Sequence, residues 1–251
     1  MMSNEELIGG ISIEIIKKKN LKNLYVRVNP PEGRVTVSTP FDYPDEEIRL
    51  FVLKKIPEIT KVRDRMLSQP RQTEREYVSG ESHYLWGKPY RLQVVYEGSK
   101  YTITKAPNKI ILTAPAESTK EARERAFNEW YRQELSRVLA SITSRCEAKL
   151  NLHADEYKIK NMRTKWGTAN VDKKRIWINL QLTKKPVECL EYVITHELIH
   201  FIEKNHTHKF QALVEEHCPI WKEARKLLAE MPLDYIEKRE LVEDEEPNNI
   251  E

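Results

Sequence analysis

His196-Glu197-Leu198-Ile199-His200, with His206 six residues further on, carries the clearest chemistry in this 251-residue chain. Two histidines four apart project from one face of a helix toward a common point. Neutral imidazoles held that way form half of a tetrahedral zinc site. Glu197 lies beside the first of them, where it can take a proton from a water acidified by the metal. His206 is too far along to share the face of a continuing helix. A helix that stops near Lys204–Asn205 lets the chain turn back and offer His206 as a third ligand, and Asn tolerates the left-handed conformation such a stop calls for. Glu203, Glu215 and Glu216 are the alternatives, since carboxylates also bind zinc. Three protein ligands and an open position make a catalytic site, whereas a closed structural site uses four.

The residues around the motif must hold it inside the protein. Leu190, Val193, Ile194, Leu198, Ile199, Phe201 and Ile202 make this helix apolar nearly all round. A helix of that composition is buried, where two histidines and a glutamate need partners. Pro186 suits its first turn, and Thr207 can cap the helix that follows, up to the interruption at Pro219.

Upstream, short alternating runs at Ile11–Ile16, Leu24–Val28 and Arg34–Ser38 read as antiparallel strands. A helix begins after Pro44 with acids in its first turn and is disturbed at Pro57. Tyr84–Trp86, Tyr90–Tyr96, Tyr101–Thr104 and Lys109–Thr113 form a second β set. The period then turns helical: Ser118 or Thr119 caps a long helix whose stripe runs from Phe127, Trp130 and Tyr131 through Leu135, Val138, Leu139, Ile142 and Cys146 to Leu150. Tyr157–Ile159 and Arg175–Asn179 make a small sheet or hairpin with a turn at 170–174. The expected fold class is α+β: a β-rich region with one long helix over 1–116, a helical metallohydrolase domain with a small sheet over 117–235, and an acidic, disordered tail over 236–251. No internal repeat is evident at a solenoid period.

Charge is unevenly spread. The chain is +3 overall, but residues 236–251 carry −5 and residues 142–188 carry +6. A positive segment beside a catalytic helix suits an anionic substrate or nucleic-acid association. Cys146, Cys189 and Cys218 are widely spaced, which excludes a disulfide framework and a cysteine zinc knuckle and places the chain in a reducing compartment, the cytoplasm. No apolar run reaches the length of a membrane span or a signal peptide.

Arg163-Thr164-Lys165-Trp166-Gly167-Thr168, Ile176-Trp177-Ile178-Asn179-Leu180, Tyr192-Val193, His196–His200 and Asn205-His206 through Phe210 together resemble the YgjP-like metallopeptidase family. Arg34–Pro40 and Trp86-Gly87-Lys88-Pro89-Tyr90 fit it more loosely. The resemblance implies a zincin-like catalytic domain, distantly related to SprT-type proteases that act on DNA-bound proteins, with zinc on His196, His200 and His206 and Glu197 as general base. Lys165 stands where the family prefers Arg, losing bidentate geometry, and Ala169 stands where it prefers Cys, so no thiol acts there. Arg163, Lys165, Trp166 and His208 are candidates for substrate binding, and Arg163, Tyr192 and His208 for stabilising an oxyanion. The leading expectation is a zinc metallopeptidase acting on peptides or proteins. A hydrolase of nucleoside triphosphates using the same metal competes with it, as does a non-enzymatic module that grips nucleic acid or protein through 142–188. Glu197 argues against that module, because a structural site has no use for a buried carboxylate beside the metal.

Overall fold

The computed structural model describes residues 2–19, 21–29, 32–68, 74–162 and 165–230. Arg163 and the acidic tail lie outside them. The chain is a mixed α and β protein that divides into two compact units, Met1–Arg71 and Gln72–Asp234.

In the first unit, β1 (Met2–Ile8) and β2 (Ile11–Lys18) form a hairpin, as do β3 (Tyr25–Asn29) and β4 (Arg34–Pro40). The hairpins join through β2 and β4, giving the order β1-β2-β4-β3. That central pair is parallel, where antiparallel strands were expected. Alternation with period two says which face of a strand is buried, and is silent about its direction. β1 was not expected at all. Its Asn4, Glu5 and Glu6 lack the alternation of a half-buried strand and suit a charged sheet edge. α1 (Asp45–Ser68) covers the sheet and runs unbroken through Pro57, secured on either side by Val52 and Ile59, both fully buried.

The second unit opens with four strands of the same order: β5 (Ser82–Leu85), β6 (Lys88–Tyr96), β8 (Lys109–Ala114) and β7 (Thr102–Lys105), with β6 and β8 parallel. α2 (Lys120–Leu150) starts where the Thr119 hydroxyl accepts from the Ala122 amide at 3.2 Å, and stops at Asn151 in the left-handed conformation. Its first half packs Phe127, Trp130 and Tyr131 onto this sheet with Leu92, Ile110 and Leu112. Its second half packs Leu135, Ile142, Cys146 and Leu150 into the core around the histidine-bearing helix. The sheet and α2, on either side of 116/117, share one core, and the two compact units divide at 71/72.

A three-stranded sheet follows, ordered β10-β11-β9 from β9 (Glu156–Lys160), β10 (Gly167–Asn170) and β11 (Arg175–Asn179). A 3-10 turn over Leu180–Lys184 leads to α3 (Val187–Ile199), α4 (His208–His217) and α5 (Trp221–Glu230). No helix among the described residues is long and apolar enough to cross a membrane.

Candidate metal centre

α3 enters at Pro186 and buries Leu190, Val193, Ile194, Leu198 and Ile199 against α2 and β11. The remaining stripe carries His196 and His200, whose ring centroids lie 5.0 Å apart. The helix ends at His200, earlier than expected, and Asn205 is not left-handed. The chain instead leaves through tight turns, with the Phe201 amide donating to the Leu198 carbonyl and the Ile202 and Glu203 amides to the Ile199 carbonyl. Thr207 then caps α4, its hydroxyl accepting from the Phe210 amide. This short return brings the His206 ring to 4.9 Å from both other histidines.

Among the described residues, His196, His200 and His206 are the one group of three or more His, Cys, Asp or Glu able to hold a metal, with ligand atoms all within 4.8 Å of one another. Glu203, Glu215 and Glu216 are not part of it. The Nε2 atoms of His196 and His206 face each other at 3.0 Å, close to the roughly 3.3 Å expected between two nitrogens on a tetrahedral zinc. His200 Nδ1 lies 3.2 Å from the Glu203 carbonyl. Donating a proton there leaves its Nε2 lone pair for a ligand, the usual way a metal-binding histidine is oriented. Burial, followed by the charges of His200, His206 and Arg225, drives His196 down to about 3. Burial and His206 likewise lower His200, opposed by the Glu203 and Lys204 backbone. Both rings are therefore held neutral, the form that binds metal. Phe210, buried on α4, places its ring 4.7–4.8 Å from all three imidazoles and forms an apolar floor beneath them.

Glu197 is buried, and burial pushes its carboxyl up to about 8 against the opposing pull of Lys165 and the Ala169 backbone. It sits against Gly167, where a Cβ would lie 2.8 Å from Glu197 Cγ and Oε1 and from Val193 Cγ1. Only a residue without a side chain lets β10 approach this closely. Asn179 fixes that approach. Its Nδ2 donates to the Met162 and Lys165 carbonyls at 2.9 and 2.6 Å, its Oδ1 accepts from the Met162 and Gln181 amides at 3.2 and 3.1 Å, and its own amide donates to the Trp166 carbonyl at 2.9 Å. The side chain's hydrogen-bonding capacity is fully used, all of it on backbone.

A cleft of about 640 Å³ opens over the histidines, between β10 with Lys165 and Trp166 on one side and Tyr192, Lys204 and Leu228 on the other. Of the residues singled out in the sequence, Lys165, Trp166 and Tyr192 line it. His208, the exposed first residue of α4, does not. Gly167, Asn179 and Phe210 belong to the centre although their roles were not foreseen. Gly167 follows Trp166 in a recognisable motif, yet only the fold shows what it faces. Part of the basic segment is neutralised locally: Arg145 and Lys149 pair with Glu191, and Lys158 and Arg175 share Glu156.

A family model described as YgjP-like, metallopeptidase domain, matches residues 22–231. No curated protein matches the chain. Among solved structures, the metallopeptidase zymogen abylysin of Pyrococcus abyssi is 16% identical, with 37% of this chain and 97% of that one covered at a TM-score of 0.31. The metallopeptidase zymogen jannalysin of Methanocaldococcus jannaschii is 28% identical, with 35% and 95% covered at a TM-score of 0.30. The match of the family model across most of the sequence means that this chain belongs to the YgjP-like metallopeptidase-domain family.

Proposed function

We propose that the chain is a zinc-dependent peptidase of zincin type, with one zinc on His196, His200 and His206 and Glu197 as general base. The convergence of three imidazoles, those of His196 and His200 held neutral by burial, beside a buried carboxylate carries this reading. The donor set fits zinc, and three ligands leave a position for water. A zinc ion bound there supplies Lewis acidity to a water molecule and to a carbonyl oxygen. The residues do the rest. Glu197 takes a proton from the attacking water, the water oxygen joins the carbonyl carbon, and the C–N bond breaks. Glu197 then returns the proton to the departing amine nitrogen. Gly167 and Asn179 hold β10 so that the carboxyl stays against the strand.

β10 supports a peptide over a phosphoanhydride. Among the described residues it pairs with β11 on one side only, and the cleft lies along it. An extended peptide can pair with such an edge through main-chain hydrogen bonds, and no glycine-rich phosphate loop is present in the sequence.

Glu197→Gln tests the assignment. The variant should keep about one zinc per chain and lose roughly 10²–10⁴-fold in cleavage of denatured casein. Cleavage at the wild-type rate would overturn the role of Glu197. Pyrophosphate release from a nucleoside triphosphate, with casein intact, would replace the peptidase by a phosphohydrolase.

A further inference from the structure

Gly167, in contact with Glu197, marks the level along β10 at which the reacting bond must lie. Lys165 precedes it by two residues and Asp172 follows it by five, and both line the cleft. These charges flank that level from opposite ends of the strand, Lys165 just before β10 begins and Asp172 in the turn after it ends. Lys204 lines the same cleft between the second and third histidines. Neither Lys165 nor Lys204 has a salt-bridge partner among the described residues, in contrast to the paired Arg145, Lys149, Lys158 and Arg175. The strand that would hold a peptide is thus positive near the reacting bond and negative at its far end.

We propose that this cleft selects its substrate by charge, taking peptides that carry a carboxylate within about two residues of the scissile bond, where Lys165 and Lys204 receive it. The carboxylate can be an Asp or Glu side chain or the peptide's own C-terminus; both present the same group. The inference rests on the peptidase reading above and adds the substrate class. Ion pairs in a solvated cleft contribute modestly, so the expected preference is roughly three- to tenfold in kcat/KM.

The test uses the zinc-loaded full chain. Cut sites in a denatured protein mixture are mapped by mass spectrometry. Matched peptides bearing Glu, Gln or Lys at the positions flanking a cut site are then compared, each as free acid and as C-terminal amide. The wild type should favour Glu over Lys. If amidation leaves that preference intact, the side chain is the group recognised. If only free acids are cleaved well, it is the C-terminus. In Lys165→Glu and Lys204→Glu the Glu-to-Lys ratio should fall or invert. Taking the ratio within one enzyme cancels any general loss of rate, and Lys204 is exposed, so its reversal spares the fold. Cleavage indifferent to charge, or a ratio unmoved by both reversals, would overturn the proposal. No cleavage of any peptide by the zinc-loaded wild type would instead defeat the peptidase reading beneath it.

Discussion

Residues 2–68 and 82–150 are built on one plan and put to different ends. Each has two hairpins joined by a parallel central pair, in matching strand order, followed by one long helix. Arg34-Val35-Thr36-Val37-Ser38-Thr39-Pro40 and Lys109-Ile110-Ile111-Leu112-Thr113-Ala114-Pro115 occupy equivalent strands about 75 residues apart. Even the first turns agree: Gly9 and Gly10 have φ of 58° and 81°, Trp86 and Gly87 of 50° and 78°. Positive φ at both central residues is the signature of a tight hairpin turn matched to strand twist. The contacts of these turns differ. The Trp86 amide donates to the Thr183 carbonyl at 2.7 Å, and a Cβ on Gly87 would lie 2.8 Å from Pro186, the residue that starts α3. A Cβ on Gly10 would meet nothing within 4 Å. α2 also extends beyond its sheet to support the histidine helix. The same topology thus becomes part of a candidate metal centre through one turn and one helix extension.

The sharpest test of that contrast pairs two fully buried residues, Leu135 on α2 and Ile59 on α1. Each change to Ala should cost about 2–5 kcal/mol of stability, measured by urea unfolding. Zinc affinity should fall with Leu135→Ala and hold with Ile59→Ala. Equal losses in both would mean that the first unit supports the site as much as the second.

A smaller effect separates the turns. Gly87→Ala combines left-handed strain with a collision against Pro186 and should cost about 2–4 kcal/mol, with weaker zinc binding. Gly10→Ala meets strain alone, about 1–2 kcal/mol, with zinc binding unchanged. Thermal unfolding alongside zinc titration reads both; identical behaviour would remove the role given to the second turn.

The smallest effect concerns pH. His83 in β5 is stacked on Phe127 at 4.6 Å and lies 3.1 Å from Glu81, whereas its counterpart in β1, Glu6, pairs with Arg49. Burial lowers the His83 pKa below 6.5, so as pH falls past 6.5 the unfolded chain takes a proton that the folded one refuses. Stability is lost in that direction. The Glu81 carboxyl is also lowered, held down by His83 and the Glu76 amide against the effect of burial, so its contribution is lost in turn below 4.5. His83→Leu should flatten the stability of the second unit just below pH 6.5 in urea titrations. An unchanged slope would rule His83 out as its source.

The centre was legible where its parts are local. His196 and His200 share one helical face with Glu197 next to the first of them in sequence, and Thr207 announces the helix that follows His206. The α2 stripe and the Thr119 cap follow from period and hydroxyl placement alone. Gly167 and Asn179 were opaque because their partners lie 30 and 14–17 residues away. Strand direction escaped for a similar reason, since pairing is a tertiary choice. The shared plan of the two sheets shows little sequence identity, because it is kept by alternation and turn chemistry rather than by particular residues.

Zinc titration of the metal-stripped chain and of His206→Ala addresses the central claim most directly. The account predicts one tight zinc per wild-type chain and binding weakened by at least tenfold in the variant. A wild type that takes up no zinc, or a variant that binds it as tightly, would contradict a centre built on three histidines.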